Sequence, residues 1–157
     1  MTSERTSEVG YMTLIAGLLD ILEEVNGVEV TEEIMFTNGK RRGEHIGEKL
    51  GTDKDPQTAI KEFLEYIRPY YEIEEKNGCA NENGYTADIK IKNCLIKNLC
   101  MNRGLPIKNP LCKSTHGLIE GALSYMSGMQ ADLVSVVADW DTCLGTVEFK
   151  QKRVHIL

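Results

Sequence analysis

The sequence predicts an α+β domain, N-terminal helices packed on a four-stranded antiparallel sheet, in the order α-α-α-β-β-α-β-β. Three observations point there. Apolar residues recur at three- and four-residue steps as far as Arg68-Pro69, and beyond that point the period falls to two. The strand-like runs also come in adjacent pairs joined by turn residues. Strands that follow a helical block, rather than alternating with helices, exclude a doubly wound parallel sheet.

The first helix is carried by Tyr11, Met12, Leu14, Ile15, Leu18, Leu19, Leu22 and Val25, and it stops near Asn26-Gly27. Thr31, followed by Glu32 and Glu33, predicts an N-cap and an acidic first turn for the second helix, which carries Ile34, Met35, Phe36 and Ile46. Asp55-Pro56 opens the third, with Ala59, Ile60, Phe63, Leu64 and Ile67 as its buried stripe. Residues 70–75 and 85–93 alternate and predict two strands around a turn-rich stretch, 76–84. The segment from Cys94 to Pro110 reads as loop, because Asn102, Gly104 and Pro106 interrupt it. A fourth helix spans 111–126 with Gly128 as its C-cap, and strands are predicted for 132–140 and 146–156.

The chain has 157 residues, of which 41% are hydrophobic and 27% charged, enough to bury one core without disulfides. We see no internal repeat, low-complexity tract or linker. Residues 1–8 are expected to form a disordered leader and 9–157 a single domain. The net charge of −6 opposes direct nucleic-acid binding, and the one basic cluster, Lys40-Arg41-Arg42, is followed closely by Glu44 and Glu48. Residues 1–8 lack the apolar run of a signal peptide, and no stretch approaches the roughly 18 apolar residues of a membrane span. A cytoplasmic location is the expectation.

Two local patterns stand out. Gly39, Gly43 and Gly47 on the second helix, and Gly117 and Gly121 on the fourth, stack at four-residue spacing, although each costs about 1 kcal/mol relative to alanine. Such a stripe makes either a ligand groove or a tight helix crossing. The five cysteines, Cys79, Cys94, Cys100, Cys112 and Cys143, are an odd number and are not read as a disulfide framework. Cys94, Cys100, Cys112 and Cys143 fall at the ends of predicted elements, where thiols converge most easily. They are core thiols or a four-thiolate zinc site, anchored by Cys112 and Cys143 and leaving Cys79 outside. A catalytic pair of Cys112 and His116, one helical turn apart, is the enzymatic alternative. His45 and His155 lack metal-type partners at helical spacing. No phosphate loop, dinucleotide fingerprint, nucleophile elbow or zinc-protease motif is present, so a binding role is favoured over catalysis.

The run Pro110-Leu111-Cys112-Lys113-Ser114-Thr115-His116-Gly117-Leu118-Ile119-Glu120-Gly121 resembles the 4-vinyl-reductase-type domain, with its cysteine, a glycine five residues on and another four later. Phe36 to Gly43 is similar to that family's early glycine-bearing helix, and Cys143, Gly145 and Phe149 are similar to its closing strand. The likeness spans residues 9–156. It implies a fold shared with transport-particle (TRAPP) subunits and haem-based gas sensors, and a hydrocarbon-like or aromatic ligand held between helices and sheet. It also implies, as in phenol sensors fused to transcription activators, a structural zinc held mainly by cysteines. Cys112 matches the first ligand position. The family's Glu-x-x-Cys is absent and Val147 stands where a last cysteine is common, so Cys94, Cys100, Cys143 or Asp139 would substitute.

The leading expectation is therefore a sensor or carrier domain for a small apolar or aromatic ligand. It is expected to be a homodimer, with zinc at Cys94, Cys100, Cys112 and Cys143. Leu14, Leu18, Phe36, Leu118, Ala122 and Trp140 are the pocket-lining candidates, chosen for apolar character and position. The alternatives are a dimeric interaction scaffold like the transport-particle subunits, and a thiol- or zinc-dependent enzyme.

Overall fold

The computed structural model describes residues 3–153, with side chains from Ser7 onward. Helices α1 (Ser3–Asn26), α2 (Val28–Leu50) and α3 (Pro56–Ile67) precede the hairpin of β1 (Tyr71–Asn81) and β2 (Gly84–Cys94). Helices α4 (Leu95–Arg103) and α5 (Leu111–Ser127) lead to β3 (Gln130–Ala138) and β4 (Cys143–Lys150). The sheet is antiparallel throughout, in the order β1-β2-β4-β3. The predicted α+β class and element order hold, with one helix added.

That helix is α4, within the segment read as loop. Its asparagines and Gly104 suggested irregular chain, yet Ile96, Leu99 and Cys100 are buried at helical spacing. Gly104, at φ 63°, ends α4 by donating its N–H to the carbonyl of Cys100. Helix α1 begins at Ser3, so residues 3–8, expected as a leader, form its first turns. Gly27, at φ 79°, turns the chain between α1 and α2 in a single residue. The N-cap of α2 is therefore Gly27 and not Thr31, whose buried hydroxyl bonds back to the Gly27 carbonyl at 2.7 Å.

Asp55 caps α3 as predicted, accepting from the Thr58 N–H at 3.0 Å and the Thr58 hydroxyl at 2.6 Å. The hairpin strands run longer than expected. Asn81 pairs with Gly84, which leaves a two-residue turn where a long loop had been predicted. Strand β4 starts at Cys143 and ends at Lys150, and the last residues of the strand predicted for 146–156 lie outside the described residues.

The core lies between α3, α5 and the sheet. Phe63, Ile60 and Ile67 of α3 meet Ile119, Leu123 and Met126 of α5 and Val147 and Phe149 of β4. Tyr85 meets Phe149 edge to face at 6.1 Å. Behind this core, α2 crosses α5 at backbone contact. A Cβ on Gly43 would stand 2.2 Å from the Leu118 carbonyl oxygen, and one on Gly117 would stand 2.2 Å from that of Phe36. The glycine stripes are thus the helix crossing and not a groove.

Candidate functional site

The packing leaves two apolar spaces, one on each side of the α5 N-terminal half. The first is a small cavity of about 30 Å³ between α5 and the sheet. Its walls include Ile89 and Ile91 of β2, Thr115 and His116 of α5, Leu133 and Val136 of β3, and Cys94, Cys112 and Cys143. It has room for one or two waters.

Three of the four predicted metal-ligating cysteines thus face one space. Cys94 sits at the N-cap of α4, Cys112 in the first turn of α5 and Cys143 at the start of β4, so three element ends meet there. Cys100 lies apart, buried, its thiol accepting from Asn109 Nδ2 at 3.0 Å. Cys79 is exposed on β1. Among the described residues no group of three or more His, Cys, Asp or Glu is placed to hold a metal ion. Thiols and imidazoles, the donor types at the cavity, are ligand types that zinc takes.

Burial sets the ionisation here. It pushes the Cys94 thiol up, opposed by the N–H groups of Lys97 and Ile96, and pushes the Cys112 thiol up, opposed by the Asn109 N–H. It holds the His116 imidazole down at about 4, with Lys113 adding to the effect. Neutral thiol beside neutral imidazole is the reverse of an activated Cys–His pair. Close by is Lys97, which is buried and whose Nζ has no hydrogen-bond partner among the described residues. Its charge acts to lower the Cys112 thiol.

The second space is a groove of about 560 Å³ on the other side of α5. Leu111 and Leu118 of α5 and Leu95, Ile96 and Leu99 of α4 form much of its apolar lining, with Ser114 of α5 beside them. Met35 and Ile46 of α2 and Ile15 of α1 also line it. Tyr66, Ile67, Tyr70 and Tyr71 come from the end of α3 and the start of β1. The Tyr71 hydroxyl is 3.0 Å from the Thr115 hydroxyl, which faces the small cavity, so this buried pair forms part of the wall between the two spaces. A larger depression of about 950 Å³ near Lys40 and Lys150 is lined mainly by polar side chains.

Of the predicted pocket residues, Leu118 lines the groove. Leu14 and Leu18 point outward from α1, 65% and 59% exposed, and Trp140 is 51% exposed in the β3–β4 turn. Ala122 is fully buried beneath the α2–α5 crossing, and Phe36 is half-buried with its carbonyl against Gly117. The six are therefore not gathered around one space. Sequence reasoning missed the tyrosines and α4. Tyr66, Tyr70 and Tyr71 cluster where helix gives way to strand, and that junction was the available signal.

No protein-family model matches the chain, and no curated protein is detectably similar to it. Among solved structures, it is similar to the phenol-responsive sensory domain of the transcription activator PoxR, crystallised with phenol. The TM-score is 0.58 at 14% identity, covering 87% of this chain and 73% of that one. At that identity the likeness is one of fold.

Proposed function

We propose that the chain is a small-molecule-binding sensor or carrier domain, of the 4-vinyl-reductase type, that takes an apolar or aromatic ligand in the groove between α2, α4 and α5. The observation that carries this reading is the groove itself. Its volume of about 560 Å³ lies within the range of ligand sites, roughly 300–1,000 Å³, and its walls are largely apolar and aromatic, with Arg42, His45 and Lys49 as its charged or titratable side chains. The phenol-sensing fold neighbour supports the same role.

A structural zinc held by Cys94, Cys112 and Cys143 belongs to the same proposal, and Cys100, which lies apart and accepts from Asn109, would have to turn toward them to be the fourth ligand. Three thiols on one cavity supply most of the donor set, and the unpartnered Lys97 ammonium supplies a counter-charge for thiolates. Bound there, zinc would tie α4 and α5 to the sheet and add to folding stability. The five free cysteines suit a reducing, cytoplasmic setting. No helix among the described residues is long and apolar enough to cross a membrane.

Pairing of two copies has its own support. Tyr11, Leu14, Leu18, Ile21 and Val25 are spaced three and four residues apart along α1, and each is more than half exposed. That is a heptad seam awaiting a partner helix. It also favours the second reading, a dimeric scaffold.

Native mass spectrometry of protein purified without chelator tests these claims together. The expected result is a dimer carrying one zinc per chain and an added organic mass, the latter absent from Leu118→Trp, which fills the groove. A bare dimer, with no ligand mass from cell extract, would favour the scaffold. A monomer at its sequence mass would sink the zinc and dimer claims.

A further inference from the structure

The groove's polar rim is more specific than its walls. Arg42, His45 and Lys49 lie on one face of α2 at three- and four-residue steps, and all three line the groove. Arg42 and Lys49, both exposed, gather positive charge along it in a protein whose net charge is −6. His45 is engaged by Glu48, with Nδ1 3.7 Å from Oε2. Arg42 and Lys49 enter no salt bridge among the described residues. Among the described residues, no Asp or Glu lines the groove.

Resting on the reading of this groove as the ligand site, we propose that its ligand is an anionic amphiphile. The apolar or aromatic body lies against Leu99, Leu118 and the tyrosines, and a carboxylate or sulfonate-like head meets Arg42 and Lys49.

The arrangement follows from the register of α2. Gly39, Gly43 and Gly47 must face α5, because only a missing Cβ allows that approach. Met35, Arg42, Ile46 and Lys49, separated by seven, four and three residues, form a second stripe beside the glycines. All four line the groove, Met35 and Ile46 half-buried and Arg42 and Lys49 exposed to solvent. A guanidinium offers paired donors that match a carboxylate, and an ammonium adds a point charge. The long stems of both side chains can cover apolar surface while their heads stay at the solvent boundary. A neutral phenol would use the walls and leave both cations idle. An anion uses both.

A matched pair of probes tests this in the intact chain. Anilinonaphthalene sulfonate and phenylnaphthylamine share one aromatic body, and only the first carries a charge. Fluorescence titration is expected to show the sulfonate binding about ten-fold more tightly at low salt. That preference should vanish in R42Q/K49Q, with the affinity for the neutral probe unchanged. K40Q/R41Q, which removes the same charge from α2 outside the groove, should keep the preference. Equal binding of both probes by the unaltered chain would overturn the anionic class and leave the apolar groove standing. Loss of preference in both double variants would also overturn it, since bulk charge would then be responsible. If neither probe binds, the inference and the groove reading fall together.

Discussion

Helices α1 and α2 are nearly equal in length and joined by one glycine, and both carry interior glycines, yet they stand in opposite situations. On α2, Gly39, Gly43 and Gly47 are buried against α5 with no room for a methyl group. On α1, a Cβ added at Gly10 or Gly17 would meet nothing within 4 Å among the described residues, and the apolar seam beside them faces outward. Periodicity identifies a face that wants a partner. Whether the partner lies within the same chain is decided by the fold.

The largest effect is expected where the contact is tightest. Gly43→Ala puts a methyl group 2.2 Å from the Leu118 carbonyl oxygen and 2.8 Å from the Ala122 nitrogen, both backbone atoms that cannot rotate away. The helices must separate. We expect a loss of about 3 kcal/mol or more in denaturant unfolding, despite alanine's better helix propensity. A neutral result would mean that α2 and α5 are not locked together.

Most of the architecture was legible because it rests on patterns with a local cause. The Asp55-Pro56 start of α3, the Gly128 end of α5 and the alternation of Ala87, Ile89 and Ile91 each follow from one residue's geometry or one period. The site was less legible, since it depends on which faces meet. Leu14 and Leu18 have the right chemistry for a pocket but sit on the outward side of α1, whereas Tyr66 and Tyr70 reach the groove from a helix end. For the cysteines, Cys94, Cys112 and Cys143, at the ends of β2, α5 and β4, line one small cavity. Cys100 was placed in a loop because Asn102, Gly104 and Pro106 interrupt that segment, and α4 turns it into the core instead.

A second prediction concerns the far side of α5, where packing is by side chains rather than backbone. His116 has a folded pKa held near 4 by burial, against an ordinary value near 6.5. The unfolded chain therefore binds the extra proton between those values, and stability rises with pH across that window. The contribution is fully present above about pH 6.5 and is lost as pH falls towards 4, to about 3 kcal/mol at most. Unfolding midpoints measured from pH 4 to 7 should flatten in His116→Gln. An unchanged slope would place the acid sensitivity elsewhere.

The smallest effect carries the opposite sign and sharpens the contrast between the two helices. Gly17→Ala makes on α1 the same chemical change as Gly43→Ala makes on α2, but into open space. With no contact to lose, the remaining terms are alanine's helix propensity and the reduced freedom of the unfolded chain, together a gain of about 0.5–1 kcal/mol. The measurement is the same denaturant unfolding, run at low and high protein concentration. A gain at both concentrations fits open space beside Gly17 even in the paired state. A gain at low concentration that turns to a loss at high concentration would mean that a second copy packs against this glycine, as α5 packs against those of α2. The α1 seam would then be a backbone-close crossing rather than a side-chain zipper.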